Sequence, residues 1–143
     1  MSLQERQKEI VLLFTRYESW EEKYRLLIEI GKQLPVYPEE FRNEDHRVKG
    51  CQSQVWLHAD LKDGMVNLRV DSDALIVKGL AALLVKLYSQ ATPEQILATS
   101  PEFISILDLG SHLSPSRANG LFAMVKQIKY YAAAFQVLQN QAR

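Results

Sequence analysis

From residue 55 to residue 71 the chain abandons the helical hydrophobic period that governs the rest of it, and this switch limits what it can fold into. Val55, Leu57, Ala59 and Leu61 alternate with Gln54, Trp56, His58 and Asp60. Val66, Leu68 and Val70 then alternate with Asn67, Arg69 and Asp71. Successive side chains on a strand point to opposite faces, so each run makes a strand with one apolar face. Asp63-Gly64 stands between them and predicts a hairpin turn. An antiparallel sheet that is apolar on one side must be covered on that side, here by helices. His46 to Lys49 is expected to add a third, short strand.

The flanking segments supply those helices. Ile10, Leu13, Phe14 and Tyr17 recur at helical spacing. Ser19 stands three residues before Glu22 as a capping box, and Trp20, Tyr24, Leu27 and Ile28 share one face of a second helix that Gly31 and Pro35 end. Residues 36–45 read as an exposed connector. Asp71-Ser72-Asp73 is placed to cap an apolar helix running to about Tyr88. Thr92-Pro93 and Ser100-Pro101 are further helix starts, with proline at the first helical position. Residues 110–116 read as a polar loop. Ser114-Pro115 then opens a long helix with Leu121, Val125, Ile128, Ala132 and Phe135 on one face. The expected class is α+β, a small antiparallel sheet with helices packed on one face, in one domain over residues 1–143.

Composition narrows the function. A domain of 143 residues buries roughly 70% of the surface its unfolded chain exposes, so no metal or disulfide staple is needed. Basic and acidic residues balance at 17 each, without the basic stripe that a nucleic-acid partner calls for. The single cysteine can form neither an internal disulfide nor a Cys-rich metal or cluster site. A free thiol fits a reducing compartment, and the expected location is the cytoplasm. The charged N-terminus lacks an apolar signal core. Residues 74–88 are apolar but carry Lys78 and Lys86 and fall short of the about 20 residues that a membrane span needs. No membrane association is expected.

Cys51 is the first candidate for chemistry. It sits where the hairpin opens, and Gly50 before it frees the backbone. His46, Arg47 and Lys49 precede it, and cations lower a thiol pKa from its free value of about 8.5. A buried, inert cysteine fits the position as well. His46, His58 and His112 with Cys51 match no zinc-ligand spacing, so neither metal nor cofactor is expected. A Cys–His hydrolase needs a base within hydrogen-bond reach of the thiol, and the sequence leaves the reach of His58 and His112 open. Asp73 reads first as a helix-start carboxylate and second as part of a turn packed beside the Cys51 loop. Arg117 reads as a solvated or ion-paired residue. Trp56 alternates with the apolar face and is expected half-exposed.

Gly50-Cys51-Gln52-Ser53-Gln54-Val55-Trp56 resembles the active-cysteine motif of the SufE/CsdE family of cysteine desulfurase sulfur acceptors. Asp71-Ser72-Asp73-Ala74-Leu75-Ile76-Val77-Lys78-Gly79-Leu80 is similar to a second family segment. His112-Leu113-Ser114-Pro115-Ser116-Arg117-Ala118-Asn119-Gly120-Leu121 is similar to a third, and Trp20-Glu21-Glu22-Lys23-Tyr24 to a fourth. The matches fall in family order over most of the chain. The resemblance implies the fold of the related iron–sulfur scaffold. It also implies that Cys51 takes persulfide sulfur from a pyridoxal phosphate-dependent cysteine desulfurase of SufS or CsdA type. The chain would then stimulate that enzyme and pass sulfur to a SufBCD-like cluster-assembly complex. Gly50, Gln52, Ser53, Gln54, Asp73, His112 and Arg117 are the implied loop and partner-contact positions. Sequence leaves open which desulfurase is the partner, and whether the chain is a monomer or a homodimer. The rival readings are a regulatory module that binds a desulfurase without transferring sulfur, a Cys–His hydrolase, and a cluster scaffold, which the lone cysteine disfavours.

Overall fold

The computed structural model describes residues 1–142. Two helices, α1 (Leu3–Thr15) and α2 (Trp20–Lys32), lead into a connector with two short 3-10 turns, Glu39–Phe41 and Glu44–His46. The hairpin β1 (Val55–Lys62) and β2 (Met65–Ser72) follows. Then come α3 (Leu75–Tyr88), α4 (Pro93–Ala98), α5 (Phe103–Ile106), α6 (Leu109–His112) and α7 (Pro115–Gln141). The fold is α+β around a two-stranded antiparallel sheet.

The hairpin is built as its alternation predicts. Register runs from Val55 opposite Ser72 to Lys62 opposite Met65. Asp63 and Gly64 both take positive φ, 53° and 77°, which matches the right-handed twist of the strands they join. Val55, Leu57, Val66, Leu68 and Val70 are buried on the helix side. The third strand is not formed: Arg47 makes one isolated bridge to Trp56, and Val48 N–H donates to the Val55 carbonyl at 2.8 Å. The chain turns away at Gly50, so a ladder has no further residues to pair.

α3 is the centre of the core. Leu80, Leu83, Leu84 and Leu87 are fully buried, as is Tyr88, and α3 touches α1, α2, α7 and β2. Each such side chain contributes about 1.5–3 kcal/mol through burial. α2 crosses α3 closely because Gly31 and Gly79 face each other: a Cβ on Gly31 would come within 2.9 Å of Gly79 N. Gly31 thus sits in the last turn of α2, which stops at Lys32, and is a packing residue as well.

Other expectations change in detail. The Ser19 cap is half a box, since its hydroxyl accepts from Glu22 N–H and bonds the Glu22 carboxylate. Pro101 precedes α5 without opening it, and α6 takes in residues 110–112, expected as loop. β2 continues through Ser72, so α3 begins at Leu75, with Ala74 at its N-cap and no side-chain cap. The connector is exposed only in part. Tyr37 is buried, and Phe41 stacks on His58 at 3.6 Å between centroids. The connector therefore lies over the polar face of the hairpin. Arg42 sits 4.8 Å above the Trp56 ring and bonds Asp71 Oδ2 at 2.8 Å. No helix among the described residues is long and apolar enough to cross a membrane.

Candidate functional site

The hydrogen bond from Val48 N–H to the Val55 carbonyl pinches residues 49–54 into a loop. Gly50 begins it with φ 91°, a left-handed conformation that disfavours any side chain. Asp73, just past the end of β2, closes it. The Gln54 N–H donates to Asp73 Oδ1 at 3.0 Å, and the Asp73 N–H donates to the Gln54 carbonyl at 3.2 Å. Asp73 thus holds the loop, and its carboxylate is not an α3 cap. Of the two readings open from sequence, the packed turn is the one formed.

The loop carries Cys51 inward onto the first turns of α7. Its thiol is half-buried and lies 3.7 Å from the Gly120 carbonyl oxygen, to which it can donate. Beside it is a cavity of about 370 Å³. Gln52 and Ser53 line it from the loop, Ala74 and Val77 from the start of α3, and Ser116, Arg117 and Gly120 from α7. Burial pushes the Cys51 thiol pKa up, and the nearby Arg47 pulls weakly the other way. The resting thiol is accordingly more protonated at neutral pH than a free one. Lys49 and Arg47 both pair with Glu44, at 3.6 and 3.2 Å. His46 bonds Asn43 Oδ1 at 2.8 Å.

Gly50, Gln52, Ser53, Gln54, Asp73 and Arg117 therefore come together around Cys51. His112 does not. Its ring stacks on Trp20 at 4.1 Å, its carbonyl accepts from the Tyr24 hydroxyl, and it lies outside the cavity lining. His58 is stacked on Phe41 across the other face of the sheet. Among the described residues no imidazole hydrogen-bonds the Cys51 thiol, so the geometry offers no base for a Cys–His hydrolase. Gly120 is a contact that sequence reasoning misses. Glycine in a helix interior costs about 1 kcal/mol relative to alanine, which is a readable sign of a close neighbour. Val77 and Ser116 carry no such sign.

A family model described as SufE, Fe-S metabolism associated domain, matches residues 8–132. The chain belongs to the SufE family. The match includes the Cys51 loop, Asp73, Arg117 and most of α7, and it links the chain to iron–sulfur metabolism. The chain is also similar to a solution structure of a hypothetical protein from Thermus thermophilus. The TM-score is 0.75 at 27% sequence identity, covering 90% of this chain and 94% of that one.

Proposed function

We propose that this SufE-family chain acts as one sulfur-acceptor domain in the cytoplasm, taking persulfide sulfur from a cysteine desulfurase onto Cys51 and passing it to an iron–sulfur assembly complex. The observation that supports this most is the seat of the only thiol. Cys51 rides on a loop held at both ends, beside a cavity, with no catalytic base among the described residues bonded to it. Such a thiol suits exchange better than hydrolysis.

The exchange balances without a metal or a bound cofactor on this chain. The Cys51 thiolate attacks the outer sulfur of the donor persulfide. The donor S–S bond breaks, its electron pair leaves on the donor cysteine thiolate, and a new S–S bond forms on Cys51. The rate follows thiolate fraction, leaving-group pKa and access. Because burial raises the Cys51 pKa, the loop has to move outward for efficient attack. Gly50 provides the backbone freedom, and Gln52 and Gln54 are already exposed. Stimulation of the desulfurase follows, since an acceptor that clears its persulfide removes the product blocking the next cycle.

The test is intact-mass measurement after incubation with a desulfurase and cysteine. A gain of one sulfur mass, reversed by reductant and absent in Cys51→Ser, is expected. Cys51→Ser should still bind the desulfurase but not raise its turnover. Full stimulation by that variant would instead make the chain a regulatory module without transfer.

A further inference from the structure

The cavity under Cys51 occupies one side of the α7 ridge; the other side carries a second groove that the sulfur chemistry does not use. This groove, of about 490 Å³, has Gly50 and Lys49 as one wall and α7 as the other. Along α7 it presents Asn119, Phe122, Lys126 and Tyr130, a stripe at helical spacing on one face. Phe122 is 53% exposed and Tyr130 72%. The two stand about two turns apart on one face of α7 with Ala123 between them, an exposed apolar strip of the kind that marks an interaction site. Lys126 stands between them and Lys49 is on the opposite wall, and no carboxylate is among the described groove residues. The pairing of Lys49 with Glu44 is fully at the surface and leaves the ammonium available. The groove and the sulfur site are neighbours, because Gly50 lines one and Cys51 the other.

We propose that the Phe122–Lys126–Tyr130 stripe, with Lys49, is the docking surface for the sulfur-donating protein, which meets it with an apolar side chain rimmed by carboxylates. The partner's identity rests on the sulfur-transfer reading above. The donor must arrive while the Cys51 loop is still retracted, as it is here, so it binds the surface that stands beside the retracted loop. The acceptor of the sulfur meets the loaded form instead. Aromatic anchors inside and charges at the rim divide the work: the aromatics set the dissociation rate, and the lysines set the association rate and its salt dependence.

The experiment measures association and dissociation rates between this chain and a purified cysteine desulfurase from the same organism. The variants are the double substitution Phe122→Ala with Tyr130→Ala, Lys126→Glu, and Val137→Ala with Leu138→Ala as a control. Val137 and Leu138 are as exposed as Phe122, at 55% and 57%, but lie outside the groove. The aromatic variant is expected to dissociate about tenfold faster or more. Lys126→Glu should associate several-fold more slowly, with a flatter salt dependence, and the control should match wild type. All variants should keep the wild-type melting temperature and still load Cys51 from inorganic polysulfide at the wild-type rate. Wild-type kinetics in both groove variants overturn the proposal while leaving sulfur transfer standing. A wild-type chain that binds through the groove but never gains sulfur overturns the transfer reading instead. Absence of any binding overturns both. Sedimentation that shows a wild-type dimer dissolved by the aromatic variant assigns the groove to a second copy of this chain, and the donor proposal falls.

Discussion

Asp73 holds the loop with one carboxylate oxygen on the Gln54 N–H and its own N–H on the Gln54 carbonyl. Asp73→Arg removes the acceptor and puts a long cation at the loop's base. Local openings of this kind cost little free energy, so Cys51 should be alkylated by iodoacetamide several-fold faster in Asp73→Arg than in wild type. An unchanged rate would show that Asp73 does not restrain the thiol. The same reagent reads the thiol's acidity. Burial favours the neutral form and raises the pKa, so the alkylation rate should go on climbing at pH values where a free cysteine peptide has levelled off. A profile that levels with the free peptide would mean the loop is open most of the time. At this scale the sequence discloses much: a single thiol, the glycine before it and the motif around it. It places Asp73 near the loop but ranks the helix cap first, because an acidic residue before an apolar run looks alike in both cases. His112 is drawn in by its motif, and only three-dimensional packing puts it against Trp20.

Among the elements, α2 and α3 are held close by facing glycines. A Cβ on Gly79 would run into the Leu27 carbonyl and carbon, which are backbone atoms that cannot rotate aside. Gly79→Ala should therefore cost about 3 kcal/mol, in the range of overpacked cores. Urea unfolding is the measurement: the midpoint should drop with an unchanged slope. A loss below about 0.5 kcal/mol would mean that the helices separate freely. The hairpin and the long helices are legible because their hydrophobic periods are long and unmixed. The third strand is misleading because residues 46–49 have strand-like composition, whereas Gly50 turns the chain after one bridge. Gly31 reads only as a helix end because glycine signals stops and close packing equally, and only the partner glycine on α3 discloses the packing.

In the molecule as a whole, Asp71 ties three layers together. Arg42 from the connector bonds Oδ2 at 2.8 Å, Lys78 from α3 lies 3.3 Å from Oδ1, and the carboxylate itself belongs to β2. Burial pushes the Asp71 pKa up, but hydrogen bonds from Arg42, the Ser72 N–H and Lys78 outweigh it and leave the pKa lowered. A carboxylate with a lowered folded-state pKa stabilises the fold above its unfolded value of about 3.9, and that stability fades as pH falls through the folded value. Asp71→Asn should cost about 1–3 kcal/mol at neutral pH, discounted for partial exposure. It should also flatten the loss of stability below about pH 4. Denaturant titrations of both proteins at several pH values decide this, and parallel curves would remove Asp71 from the account. That the connector covers the second face of the sheet is not legible, since its anchors are a lone Tyr37 and a lone Arg42 with no period to betray them. The seat of Cys51 against the Gly120 carbonyl has a kinetic meaning. A thiol that reacts only from an open loop slows every small reagent by one common factor, the fraction of time the loop is open. Peroxide, free thiols and alkylators are all held back alike, whatever their shape. Only a macromolecule that binds the surrounding surface and shifts the opening equilibrium escapes that factor. Discrimination against small oxidants then needs no pocket that recognises them.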